Sequence, residues 1–197
     1  MADVRSFVAV DLGAPVKTQL GVLQRELKAR TPAGAVRWVQ PDAIHLTLNF
    51  LGDVPEERVS EIVAALQRAC GPIALLSFSI AGAGCFPNLR RPNVVWVGVE
   101  DPSGALRALQ AAVEKALNPL GFPPENRPFK PHLTLGRTQR NAPGEDLHAV
   151  GERVGALTVG TLGQVDVREI LLMRSDLLPG GARYTPLARI LLGGAEA

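Results

Sequence analysis

The sequence predicts an α+β protein with helices packed outside and a duplicated lobe whose two copies are related by a pseudo-twofold axis. Three observations predict it. β-rich runs and helical spacings follow one another in the order β-α-β-β-α-β-β-α-β and then mostly strand, which is not the regular alternation of a parallel sheet. The tetrapeptide His-Leu-Thr-Leu occurs twice, at 45–48 and 132–135, 87 positions apart (132 − 45). No linker or charge run separates the halves, so residues 1–197 are read as one domain of two intertwined lobes.

Arg5 to Leu12 reads as a first strand. Pro15 then opens a helix with Val16, Leu20, Leu23 and Leu27 along one face. Val36–Val39 is a short strand and Gln40-Pro-Asp42 a turn; His45–Phe50 alternates polar and apolar residues, as a half-buried strand does. Asp53-Val-Pro-Glu56 has the form of a capping box for a second helix with Val59, Ile62, Val63 and Leu66 inside. Ile73–Ile80 and Val94–Val99 are strand runs flanking a turn-rich loop, Gly82–Pro92. Asp101-Pro102 reads as an N-cap and first helical residue, followed by Leu106, Leu109, Val113 and Leu117 and stopped at Gly121. His132–Arg137 is another strand and Glu145–Val154 a short helix. Val165–Ser175 and Tyr184–Leu192 close the fold around a Pro179-Gly-Gly turn.

Composition narrows the function. Of 197 residues, 46% are hydrophobic and 20% charged, which excludes intrinsic disorder. No apolar run approaches the roughly 18 residues of a membrane span, and the N-terminus has no secretory h-region. Two cysteines cannot build a disulfide framework, so a reducing cytoplasm is expected. A net charge of +2 is too small for sequence-blind DNA coating, but it permits a local basic cleft.

The repeat carries the chemistry. Side chains alternate across a strand, so His45 and Thr47 share one face while Leu46 and Leu48 take the other; His132 and Thr134 do the same. If the lobes oppose each other, two imidazoles and two hydroxyls converge. Two histidines supply one general acid and one general base near neutral pH. Threonine hydroxyls hold phosphate oxygens. This is equipment for phosphodiester chemistry without a metal or cofactor. A zinc site would need a third ligand, and no carboxylate shares either His-x-Thr strand. His148 stands outside the repeat and is read as structural.

The doubled His-x-Thr motif resembles that of the two-histidine phosphoesterases, and the chain as a whole is similar to the bacterial RNA 2′,3′-cyclic phosphodiesterases, or 2′-5′ RNA ligases. The likeness runs from Arg5-x-Phe-Val-Ala-Val-Asp11 through Arg37-Trp38, Phe50-Leu-Gly52, Phe86-Pro, Arg91-Pro and Val95-Trp96-Val-Gly98. It continues through Lys130-Pro-His132-x-Thr-Leu-Gly-Arg137, Arg174-Ser175 and Gly181-x-x-Tyr184-x-x-Leu187. The resemblance implies a bilobal fold of two antiparallel-rich lobes around a central cleft, and opening of an RNA 2′,3′-cyclic phosphate to a 2′-phosphomonoester; 2′-5′ ligation is the related reaction in which a 5′-hydroxyl attacks in place of water. It implies His45 as proton donor, His132 as proton acceptor, and Thr47 and Thr134 on the phosphate.

Arg137, Lys130, Arg90 and Arg91 are further candidates for RNA phosphates. Phe86, Trp38 and Tyr184 are candidates for the base or the cleft. Trp96 is read as core. The expected partner is an RNA end, single-stranded or tRNA-like, met by a monomeric protein with no membrane contact. Small cyclic nucleotides as substrate, or an RNA-end-binding module without turnover, are the alternatives.

Overall fold

The computed structural model describes residues 3–178 and 181–193. Among the described residues nine strands and four α-helices follow one another: β1 (Asp3–Val10), α1 (Gly13–Arg30), β2 (Val36–Trp38), β3 (Leu46–Pro55), α2 (Val59–Cys70), β4 (Leu76–Phe86) and β5 (Val94–Glu100). Then come α3 (Ala105–Leu117), β6 (His132–Thr138), α4 (Gly144–Gly155), β7 (Gly163–Val167), β8 (Glu169–Leu178) and β9 (Gly181–Leu191). All strands join one antiparallel sheet in the order β7-β4-β5-β6-β3-β1-β8-β9, with β2 beside β6. The two strands carrying the repeat sit side by side at its centre. Three strands extend outward from each, which is the expected pseudo-twofold plan.

The sheet must curl. β7 pairs at one edge and β8 near the other, yet only Arg168 separates Val167 from Glu169 in the chain. Two residues of extended chain span about 7 Å, so the far sides of the sheet have to approach each other. The result is a half-barrel with its helices on the outer face. Leu20 and Leu27 of α1, Ile62 and Leu66 of α2, Leu109 and Val113 of α3, and Val150 of α4 meet Val8, Leu46, Leu48, Val97, Leu133 and Leu135 in one apolar cluster. No helix among the described residues is long and apolar enough to cross a membrane.

Several expected boundaries move, each because a ladder partner or turn outweighs a local signal. The Asp53–Glu56 segment is not a capping box: β3 pairs with β1 as far as Pro55, a 3₁₀ turn covers Glu56–Arg58, and no side chain caps α2. Gly82–Phe86 is not loop but the end of β4, paired to β5 as far as Phe86. Gly82, at φ 70°, is the extra residue of a bulge there. Asp101-Pro102 does not open α3, which starts after Gly104 at φ 73°. Asp101 instead accepts hydrogen bonds from Ser103 Oγ (2.9 Å) and the Arg107 N–H (3.1 Å). The single strand expected over 165–175 is two, divided at Arg168. The turn expected at Pro179-Gly180 lies outside the described residues.

Two bulges shape the centre of the sheet. In β3, Thr47 pairs with Ala9 but Asn49 pairs with Val8, so Leu48 is the extra residue. In β6, Thr134 pairs with Trp96 but Gly136 pairs with Val95, so Leu135 is the extra residue. Both bulges fall on the last residue of His-Leu-Thr-Leu. Each reverses the alternation beyond it: Phe50, opposite Phe7, and Arg137, opposite Val94, turn to the face of the histidines and threonines.

A buried amide holds the second bulge. Gln24 of α1 is 1% exposed, and its Nε2 donates to the carbonyls of Leu135 and Val39, each at 2.8 Å. Gln24→Leu takes the amide donor from the Val39 carbonyl and leaves the Leu135 carbonyl with the Val39 N–H alone. Urea unfolding of this variant should show a loss of about 1–3 kcal/mol; a loss below about 0.5 kcal/mol would mean the amide is not what pins the bulge.

Candidate active site

β3 and β6 meet at one registered pair, Leu46 with Leu133. Both leucines are fully buried, and each is flanked by a histidine and a threonine of its own motif. Antiparallel register therefore sets Thr47 across from His132 and His45 across from Thr134. All four side chains are half-buried, on the sheet face opposite the helices. The sequence expectation that the lobes bring these four residues together holds, with a crosswise arrangement that sequence alone did not supply.

Each imidazole is held in the same way. His45 Nδ1 lies 2.9 Å from the Ala43 carbonyl, and His132 Nδ1 lies 2.7 Å from the Lys130 carbonyl, two residues upstream in both cases. A carbonyl only accepts, so Nδ1 carries the proton and donates. Nε2 of each ring is thereby left to face outward. Aromatic packing fixes the ring planes. Phe7 stacks on His45 at 4.6 Å, and Tyr184 meets it edge-on at 4.9 Å. Phe86 meets His132 edge-on at 4.9 Å.

The electrostatics of the two histidines differ. Burial holds both below the ordinary value of 6.5, while the carbonyl hydrogen bonds oppose it. Lys17 and Asp11 act on His45 in opposite directions, the lysine downward and the carboxylate upward. They form an ion pair of their own at 2.5 Å. His132 has Arg137 as its neighbouring charge, which holds it down further. Where the first lobe has Asp11 after Val10, the second has Gly98 across from His132.

Two cavities adjoin the centre. One, about 740 Å³, is lined by Thr47, His132, Phe50, Phe86, Arg137 and Lys130, with Arg127 and Phe129 among its other walls. Arg127, Lys130 and Arg137 make no ion pair among the described residues. The other, about 280 Å³, lies on the His45 side with Asp11, Lys17, Tyr184 and the ion-paired Glu169 and Arg189. Burial pushes the Tyr184 phenol up, while the charges of Arg137 and Arg5 pull it down.

The remaining candidates divide. Arg137, Lys130 and Phe86 line the larger cavity and Tyr184 the smaller. Trp38 lines neither; it packs on the core with Lys28 over its ring at 5.9 Å. Arg90 and Arg91 are exposed in the 87–93 turn, their N–H groups on Asn88 Oδ1, and also line neither cavity. Trp96, expected in the core, is half-buried on the histidine face opposite Thr134, its ring where a Cβ on Gly84 would come within 2.5 Å. His148 pairs with Glu152 on the outer helix α4 at 3.4 Å. Phe50, Arg127 and Phe129 were not singled out from sequence. For Phe50 the signal is the bulge, which alternation alone hides.

A curled, duplicated antiparallel sheet with a His-x-Thr strand from each half at its centre is the architecture of the two-histidine phosphoesterases. The family model of the 2′-5′ RNA ligase superfamily matches residues 16–176. Over 187 residues the chain is 37% identical to an RNA 2′,3′-cyclic phosphodiesterase of Methanothermobacter thermautotrophicus, covering 93% of this chain and 96% of that one. It superposes on E. coli LigT, crystallised with 3′-AMP, with a TM-score of 0.74 and 30% identity, covering 96% and 98% of the two chains. TT0787 of Thermus thermophilus gives 0.75 and 32%, covering 98% and 100%. The chain belongs to the 2′-5′ RNA ligase superfamily, and with it to the phosphodiesterase class of enzymes.

Imidazole titration by NMR should place the midpoints of both His45 and His132 below 6.5, with the neutral rings protonated on Nδ1. Removing a cation favours the imidazolium, so Arg137→Gln should raise the His132 midpoint and move His45 less. Midpoints above 6.5 in the unliganded protein, or Nε2–H tautomers, would contradict this description.

Proposed function

We propose that this enzyme opens RNA 2′,3′-cyclic phosphate ends to 2′-phosphomonoesters by acid–base catalysis shared between the two lobes. The observation that carries the reading is the matched pair of Nδ1-to-carbonyl hydrogen bonds, which leaves two outward Nε2 atoms on strands paired at Leu46 and Leu133. His132 Nε2 accepts a proton from water as its oxygen bonds to phosphorus. The bond from phosphorus to the ribose 3′ oxygen breaks, and His45 Nε2 delivers a proton to that oxygen. Thr47 and Thr134 hold the non-bridging oxygens as charge builds on them. A 5′-hydroxyl in place of water gives the related 2′-5′ ligation.

Arg137 beside His132 favours a neutral ring, as a base requires. At His45 the charge of Lys17 also favours the neutral ring and outweighs the opposing carboxylate of Asp11, so the assignment of His45 as donor follows the family resemblance. The two imidazoles by themselves supply both proton transfers that the ring opening requires. E. coli LigT has been crystallised with a nucleotide, 3′-AMP, which supports a nucleotide in the equivalent cleft here.

His45→Ala and His132→Ala should each lower turnover of a cyclic-phosphate oligonucleotide by about 10²–10⁴-fold. Because both act in one proton-transfer cycle, the double variant should be far less than multiplicatively worse. A folded single variant with near-normal turnover would remove that histidine from the mechanism.

The pH dependence has a definite sign. One ring must start neutral and the other protonated, and both are held below 6.5. The kcat/KM profile should therefore be a bell with its maximum below pH 6.5, falling as the donor loses its proton at higher pH. A plateau extending above pH 8 would rule out a donor histidine.

A further inference from the structure

The duplication reaches the helices. Leu20-x-x-Leu23-Gln24-x-x-Leu27 of α1 recurs in α3 as Leu106-x-x-Leu109-Gln110-x-x-Val113, and in both helices these residues are buried. The two glutamines have different surroundings. Gln24 is engaged by the fold: it donates to the carbonyls of Leu135, the bulge residue of β6, and of Val39, just past the strand β2 that pairs with β6. The matching bulge residue of the first lobe is Leu48, but no second β2 stands beside it. β3 and β6 share only the Leu46–Leu133 pair, and among the described residues no further strand fills the gap past Thr47 and His132. The chain at 125–130 borders that gap instead, tied to α3 where the Glu125 N–H donates to Glu114 Oε1 at 3.2 Å.

The gap is the larger cavity, about 740 Å³. It runs from Thr47 and His132 on the histidine face to Gln110 and Glu114 of α3, a helix of the opposite face. Gln110 is 6% exposed and lines this cavity, and its amide has no hydrogen-bond partner among the described residues. An amide withdrawn from water without a partner is costly, so a ligand that satisfies it is favoured. Glu114, one helical turn further on, is half-buried and makes no ion pair among the described residues. Its carboxylate can only accept hydrogen bonds, whereas the amide can also donate.

We propose that Gln110 and Glu114 read the Watson–Crick edge of the terminal base and select guanine. Along that edge guanine presents an acceptor, O6, followed by two adjacent donors, N1–H and the N2 amino group. Gln110 Nε2 donates to O6, and the Glu114 carboxylate accepts from N1–H and N2–H. Adenine and cytosine place a ring-nitrogen acceptor where guanine carries N1–H, and uracil places a carbonyl where guanine carries the amino group. Each of these sets a lone pair against the carboxylate. The proposal rests on the phosphodiesterase reading above and goes beyond it, because it names the RNA ends preferred: those that finish in guanosine 2′,3′-cyclic phosphate.

Five substrates test this: the 2′,3′-cyclic phosphates of guanosine, inosine, adenosine, cytidine and uridine. Inosine differs from guanosine only in lacking the amino group. For the parent enzyme, kcat/KM on guanosine should exceed that on adenosine, cytidine and uridine by about tenfold or more, the scale of a hydrogen bond to a charged group, with inosine between. Glu114→Gln should bring the guanosine-to-inosine ratio close to one. Gln110→Leu should lower guanosine and inosine together, about three- to tenfold relative to cytidine, which has an amino group in place of O6. This variant loses no internal hydrogen bond, so its urea midpoint should not fall. Equal turnover of the five substrates, a lead for another base, or a guanosine lead that survives both substitutions would overturn the proposal. So would a fall in the urea midpoint of Gln110→Leu like that expected for Gln24→Leu, which would show the amide bonded within the protein. If the parent enzyme turned over none of the five, the phosphodiesterase reading itself would fall.

Discussion

At the centre of the sheet, two buried leucines, Leu46 and Leu133, hold the halves of the protein in register. Shifting that pairing by one residue would turn either motif's histidine and threonine into the core and its leucines out to the cleft. The apolar cluster beneath the sheet forbids the slip, because it needs Leu46, Leu48, Leu133 and Leu135 together. The position of the reacting groups thus follows from hydrophobic burial on the other side of the same strands. Single substitutions of such leucines cost several kcal/mol in general, so the register is held more strongly than any one hydrogen bond at the site could hold it.

Duplication explains why each lobe supplies the same constellation, and departures from duplication explain how the halves can do different work. The carbonyl contacts that orient the imidazoles are the same in both lobes. Around them the equivalence breaks at several places, Phe7 against Val94 among them. Ala9 lies opposite Thr47 where Trp96 lies opposite Thr134, Asp11 takes the place of Gly98, and Phe50 takes the place of Arg137. A symmetric centre with asymmetric surroundings suits a reaction in which one imidazole gives a proton while its twin takes one.

Much of this was legible in the sequence because it is local. The repeated tetrapeptide announces the duplication, and period-2 alternation assigns the faces of His45, Thr47, His132 and Thr134. The bulges were not legible, since an extra residue in a strand is defined only by its partner on the next strand. Strict alternation would have placed Phe50 and Arg137 on the leucine face. Nor could sequence show that one residue, Arg168, links strands on opposite sides of the sheet and forces its curl. Arg90 and Arg91 were candidates as cations in a turn-rich segment and Trp38 as an aromatic able to stack on a base; the arginines lie in the 87–93 turn, and Trp38 packs on the core, so none of the three lines either cavity. The apparent N-cap at Asp101 misled for a related reason: its carboxylate does cap α3, but from across Gly104 rather than from the adjoining position.

We propose that two imidazoles on paired strands, acting across one phosphorus, open the ring toward the 3′ oxygen without help from a metal. The most direct measurement is product analysis of a 2′,3′-cyclic-phosphate RNA after exhaustive chelation of the protein, resolving 2′- from 3′-phosphomonoesters. The account predicts full turnover with the 2′-phosphate as the sole product. Formation of the 3′-phosphate, or activity restored only by a stoichiometric divalent ion, would contradict it.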